Sequence, residues 1–155
     1  MSNIEIERKF LVKSTEFLNE QHEKKEMKQG YLCNEKAKTV RVRTDGINGY
    51  LTIKGVTNGI ERKEYEYQIP LKEAEELITM CDGVIEKTRH YFPIGKHIYE
   101  VDVFEGDNKG LIVAEIELQS SDEEFIKPDW LGEEVSHDVR YFNAQLIKYP
   151  FTQWK

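Results

Sequence analysis

Apolar and polar residues alternate along most of this chain, the period-two pattern of β-strands. In "IEIERKFLV" (4–12) one face takes Ile4, Ile6, Arg8, Phe10 and Val12, and the other takes Glu5, Glu7, Lys9 and Leu11. Further strands are predicted at 24–33, 38–45, 49–56, 61–70, 84–94, 97–105 and 111–120. These segments are rich in β-branched and aromatic residues and are separated by Asp, Asn and Gly. "INGY" (47–50) reads as a tight hairpin turn. Leu71, Ala74, Leu77, Ile78 and Cys81 recur at helical spacing, which predicts an amphipathic helix over 71–81. Shorter helices are predicted at 14–21, opened by Ser14, and at 139–147, capped by Asp138. The stretch between the last strand and the last helix reads as loop with helical turns. The class is α+β, with about eight antiparallel strands.

Composition narrows the function. The 155 residues form one domain by size. Lys and Arg number 22 against 29 Asp and Glu, a net charge of −7, which argues against a nucleic-acid or anionic-membrane binder. The charged fraction of 33% exceeds the roughly 25% of typical domains, so the charges invite a second use. Cys33 and Cys81 stand far apart without metal-ligand spacing and read as reduced thiols. No signal-peptide pattern and no apolar run of about 18 residues is present, so a soluble cytoplasmic protein is expected.

Where those charges fall changes the picture. Arg41 and Arg43 share a strand face, as do Thr52 and Lys54, and Lys87 and Arg89. Glu100 pairs with Asp102, and Glu115 with Glu117; Arg62, Glu64 and Glu66 form a mixed face. Each strand alone is explained by a core face and a solvated face. The set is harder to explain so, because the signs are segregated by strand and like charges at alternate positions repel. An anionic ligand with bound cations between the strands would relieve that repulsion. A sheet curled into a barrel with a charged interior satisfies the pattern, although small soluble barrels are usually filled with apolar side chains. Periodicity alone does not say which face is inside.

"IEIERKF", with Glu5, Glu7 and Lys9 as ExExK, resembles the signature of the CYTH superfamily, the triphosphate tunnel metalloenzymes. "QGYL" (29–32), "RVR" (41–43), "LTIKG" (51–55), "EYEYQI" (64–69), "EKTR" (86–89), "EVDVFEG" (100–106) and "VAEIEL" (113–118) follow in the family's order, and "WLGEEVSHDVRYFN" (130–143) is similar to the end of its short bacterial, inorganic-triphosphatase branch. The resemblance covers nearly the whole chain. It implies a single tunnel domain over 1–155, a closed eight-stranded, mainly antiparallel β-barrel with a charged lumen and flanking helices. The apolar strand faces then point outward, beneath the helices.

The resemblance further implies hydrolysis of inorganic triphosphate to pyrophosphate and phosphate. Lys9, Arg41, Arg43, Lys54, Lys87 and Arg89 would grip phosphoryl oxygens. Glu5, Glu7, Glu115 and Glu117, with Asp102 next, would be hard oxygen ligands for Mg²⁺ or Mn²⁺, with two ions in the substrate complex. A Lys9–Tyr31 pair would deprotonate the attacking water, Lys9 having its pKa lowered by nearby cations. Arg62, Glu64, Glu66 and Glu100 share the tunnel face by parity, as metal or substrate contacts or as charge partners of the basic side chains. Other readings on the same fold are a class IV adenylate cyclase and a thiamine triphosphatase; a non-catalytic polyphosphate-binding module is of a different class. The partner is a small anion, with no nucleic acid and no membrane. The sequence does not set the oligomeric state, and a homodimer stays open. The four histidines form no ligand pair, and Trp130, Tyr141 and Phe142 are expected to pack the tail. Walker A, GxGxxG and GxSxG motifs are absent from the sequence.

Overall fold

The computed structural model describes residues 3–154. Its strands are β1 (Ile4–Val12), β2 (Glu23–Asn34), β3 (Thr39–Thr44), β4 (Gly49–Lys54), β5 (Glu61–Ile69), β6 (Val84–Ile94), β7 (His97–Phe104), β8 (Ile112–Leu118) and β9 (Leu131–Glu134). Its α-helices are α1 (Leu71–Ile78) and α2 (Asn143–Lys148). The strands run β5-β4-β3-β2-β6-β7-β8-β1 in space, and a β5–β1 pairing closes them into an eight-stranded antiparallel barrel. β1 achieves this by changing partner along one edge. Ile4, Glu5 and Ile6 pair with β5, and Phe10 and Val12 then pair with the short β9. Its other edge pairs with β8 from Ile6 to Phe10.

The predicted helix at 14–21 is a single 3-10 turn, Glu16–Asn19, with no side-chain cap, because one apolar anchor, buried Phe17, does not sustain an α-helix of that length. At the end of the chain a 3-10 turn (Val139–Tyr141) precedes α2, and Asp138 does cap it by accepting from the Arg140 backbone N–H. β9 lies in the stretch read as loop. Among the described residues, no helix is long and apolar enough to cross a membrane.

The core lies outside the barrel wall. Ile6, Phe10, Phe92, Tyr99, Val101, Ala114, Ile116 and Leu118 point outward from β1, β6, β7 and β8 and form one buried cluster with Phe17 and Leu131. Its cover is the 3-10 turn and the segment before β9, rather than a helix. The Phe17 and Trp130 rings stack at 4.0 Å over the cluster. Burying each large member contributes roughly 1.5–3 kcal/mol. α1 lies on the outer face of β2, β3 and β4, with Ala74 and Val42 fully buried. The outer face of β5 has no such cover: Tyr65 and Tyr67 stay exposed there, as does Ile53 on β4.

A second cluster, Ile85, Phe104, Leu111, Val113 and Leu146, has a different place. By strand parity Ile85, Phe104 and Val113 share the inward face with Lys87, Asp102 and Glu115. They fill one end of the lumen, and Leu146 of α2 packs on them as a plug.

α1 docks closely because Gly49 has no side chain: a Cβ there would stand 2.5 Å from the Ala74 Cβ and 3.1 Å from the Ile69 carbonyl. Gly49→Ala is expected to cost about 1–3 kcal/mol by overpacking, read as a lowered denaturation midpoint. An unchanged midpoint would contradict this packing of α1.

Candidate active site

Inside the barrel is a cavity of about 360 Å³. Parity brings to it Glu5, Glu7 and Lys9 from β1, Tyr31 from β2, Arg41 and Arg43 from β3, and Lys54 from β4. β5 adds Arg62, Glu64 and Glu66, β6 adds Arg89, β7 adds Glu100, and β8 adds Glu115 and Glu117. The signs occupy different walls. β7, β8 and β1 are neighbours and carry Glu100, Glu115, Glu117, Glu7 and Glu5; β4 and β3 carry Lys54, Arg41 and Arg43. Arg89 on β6 closes the basic side.

The basic wall holds unused donors. Arg41 gives one Nη2 hydrogen bond to Thr52 Oγ1 at 3.1 Å, and its buried Nε has no partner among the described residues. Arg43 donates Nε to Gln29 Oε1 at 2.9 Å. Burial lowers the proton affinity of Arg43, and Arg41 and Arg89 beside it lower it further. Arg41 and Arg43 thus face the space with few protein acceptors, while Arg89 beside them is held by Asp102 and lies 3.4 Å from Glu100.

On the acidic wall, Glu7 and Glu117 stand opposite each other across the β1–β8 ladder. Lys9 Nζ sits 2.8 Å from Glu7 and 3.3 Å from Glu115, and Lys54 Nζ is 2.9 Å from Glu5. Glu117 has no ion pair among the described residues. Its proton affinity is raised by burial, then by Glu5, Glu7 and Glu100. Excess negative charge on hard oxygen atoms is the donor chemistry that suits Mg²⁺ or Mn²⁺. Among the described residues no three such side chains already stand together as a metal site, because Glu5 and Glu7 are turned to the two lysines.

Lys9 departs from expectation. Burial pulls its ammonium down, but Glu115 and Glu7 outweigh burial and hold it well above its ordinary value. Beside these two carboxylates Lys9 is held as the ammonium. Its ammonium lies 5.7 Å from the centre of the Phe142 ring, so Phe142 lines the cavity instead of only packing the tail.

Asp102 and Lys87 do not line the cavity; both side chains have zero exposure. Lys87 Nζ donates to Asp102 Oδ2 at 2.7 Å, while Arg89 donates Nε to Asp102 Oδ1 at 2.8 Å and Nη2 to Oδ2 at 3.0 Å. Both carboxylate oxygens are thereby committed, and Asp102 holds Arg89 toward the lumen from beneath. Gln29 and Asn143 are also built into this floor, and neither stood out in the sequence. Gln29 was findable from its parity with Tyr31; Asn143, at the start of a helix, gives no periodic signal.

The CYTH domain model matches residues 3–148. The chain belongs to the CYTH family. Among CYTH relatives, an inorganic triphosphatase from Acetivibrio thermocellus is 46% identical over 153 residues, covering 97% of each chain. One from Nitrosomonas europaea is 38% identical over 148 residues, covering 92% of this chain and 95% of the relative. A crystal structure of an inorganic triphosphatase superposes with a TM-score of 0.66 at 36% identity, covering 92% of this chain and 93% of the other. The closed barrel is therefore the CYTH fold.

Burial brings the Lys87 ammonium down to about 7 from its ordinary 10.5; Asp102 opposes this, while Arg89 and Arg43 add to it. A lowered lysine is a stability cost while it stays protonated. Between about pH 7 and 10.5 the unfolded chain keeps a proton that the folded one has released, so stability rises with pH across that window. Denaturation of wild type and Lys87→Met between pH 6 and 10 should show wild type gaining relative to the variant above pH 7. A constant difference would contradict the burial of this group.

Proposed function

We propose that this CYTH protein hydrolyses inorganic triphosphate to pyrophosphate and phosphate in the barrel cavity, with Mg²⁺ or Mn²⁺ bound. The observation that carries this reading is the buried Arg41 Nε, without a partner among the described residues, beside Arg43 and Arg89 and across from carboxylates in excess. Such a pair of walls suits an anion bridged to one side by cations. The activity of the two relatives supports it.

Phosphoryl transfer is catalysed mainly by positioning and by neutralising charge on the non-bridging oxygens. Arg41, Arg43 and Arg89 offer planar forks to those oxygens, and Lys54 a compact charge. Lys9 and Lys54 would shift from their glutamates to the entering anion, freeing Glu5, Glu7 and Glu115 beside Glu117 as ligands. A divalent ion bound there would neutralise phosphoryl charge and acidify a coordinated water. Lys9 serves as a cation that orients the terminal phosphate, and Tyr31, also in the lining, is a further contact. Glu64 and Glu66 balance the basic wall, at 3.5 Å from Lys54 and 3.7 Å from Arg41 respectively. Arg62 donates to the Gly55 carbonyl and braces the β4–β5 connection. Both cysteines are free, which fits a reducing compartment such as the cytoplasm.

The test is incubation with triphosphate, ATP and thiamine triphosphate, each with Mg²⁺, Mn²⁺ or chelator, with the products identified. Triphosphate should be cleaved in metal and not in chelator. Arg41→Ala should raise KM for triphosphate about tenfold or more, as expected for losing a hydrogen bond to a charged group. Tight binding of triphosphate without turnover would leave a polyphosphate-binding module. Preferred turnover of ATP to a cyclic product or of thiamine triphosphate would replace the assigned substrate.

A further inference from the structure

Donor and acceptor chemistry fixes two amides in the floor of the cavity. Arg43 has only N–H groups, so the Gln29 atom 2.9 Å from its Nε must be the carbonyl oxygen. The other end of the Gln29 amide, Nε2, then donates to Asn143 Oδ1 at 3.2 Å. Lys87 Nζ donates to the same Oδ1 at 2.9 Å. Because Arg43 is always a donor, Gln29 cannot flip without placing two donors face to face, and Asn143 then keeps its oxygen toward Gln29 Nε2. Gln29 is fully buried, so water cannot compensate such a flip.

This locks the remaining atom. Asn143 Nδ2 carries two N–H groups with no acceptor among the described residues, and it is not an enclosed orphan. Asn143 itself lines the cavity, next to Phe142 and Ala144. We propose that Asn143 is a further substrate contact, donating from Nδ2 to a phosphoryl oxygen. The assignment rests on the triphosphatase reading and deepens it: the segment after the barrel adds a neutral donor to a set of charged ones. Asn143 Oδ1 ties the start of α2 to the floor, and Asn34 Nδ2 adds a second tie by donating to the neighbouring Ala144 carbonyl at 2.9 Å. A neutral donor adds a directed bond without adding to the repulsion among Arg41, Arg43 and Arg89.

The test compares full-length wild type, Asn143→Ala and Asn143→Asp in triphosphate turnover with Mg²⁺ or Mn²⁺, in calorimetric binding of inorganic triphosphate, and in thermal melting. Asn143→Asp keeps the acceptor oxygen for Lys87 and Gln29 and replaces only the donor, so it should melt no lower than wild type. KM should rise about tenfold or more in both variants, with the larger rise in Asn143→Asp and a smaller change in kcat. A folded Asn143→Ala with wild-type KM overturns the assignment, as does Asn143→Asp with wild-type affinity. Should Asn143→Ala fail to fold, Asn143→Asp decides alone. A wild type that neither binds nor cleaves triphosphate defeats the functional reading itself, a result visible before any variant is made.

Discussion

Charge placed inside a closed barrel has to be neutralised there, and the Lys87–Asp102–Arg89 group is where this protein meets that constraint. One carboxylate holds an ammonium and a guanidinium with no exposure of its own. Breaking such a group leaves an uncompensated buried charge, at a cost of about 3–5 kcal/mol. Everything above it depends on its geometry. Arg89 is aimed into the lumen by two hydrogen bonds from below, and Lys87, Asn143, Gln29 and Arg43 form one hydrogen-bonded chain beside it. Below it, Ile85, Phe104, Val113 and Leu146 keep water from that end of the barrel. The floor is thus apolar at its base and ionic at its surface.

The walls are built on the opposite principle. Charges of one sign are crowded together on neighbouring strands and only partly satisfied. Lys9 and Lys54 reach to the acidic wall and relieve some of the strain, while Glu117 and the guanidinium groups of Arg41 and Arg43 keep capacity in reserve. A cavity with unmet demand of both signs on facing walls is poised for a polyanion with its counter-cations. The hydrophobic core is displaced to the outside of β1, β6, β7 and β8 to make room for it.

Much of this was legible in the alternation of residues. Glu5, Glu7 and Lys9 opposite Ile6 and Phe10 define the two faces of β1, and the same parity places every inward charge. What parity does not encode is depth. Lys87 and Asp102 share a face with Arg89 and Glu100, yet lie too near the plug to reach the cavity. Nor does it encode how neighbours alter a side chain: Lys9 was expected to be depressed by cations, and the carboxylates of Glu7 and Glu115 are closer. β9 was missed because four residues, LGEE, carry too little alternation; it exists only as an edge added to β1. The 14–21 helix failed for the converse reason, a good local signal with a single buried anchor. Gln29 and Asn143 are neutral, and charge patterning does not mark them.

In this barrel the charged faces are the ones that would enclose the ligand. The most direct measurement is a crystal structure of the protein soaked with triphosphate and Mn²⁺, with Mn²⁺ located by its anomalous signal. The phosphate chain is expected against Arg41, Arg43 and Arg89, with Mn²⁺ between it and the carboxylates of β1 and β8. Triphosphate bound on the outer surface, with the lumen holding only water, would contradict this placement.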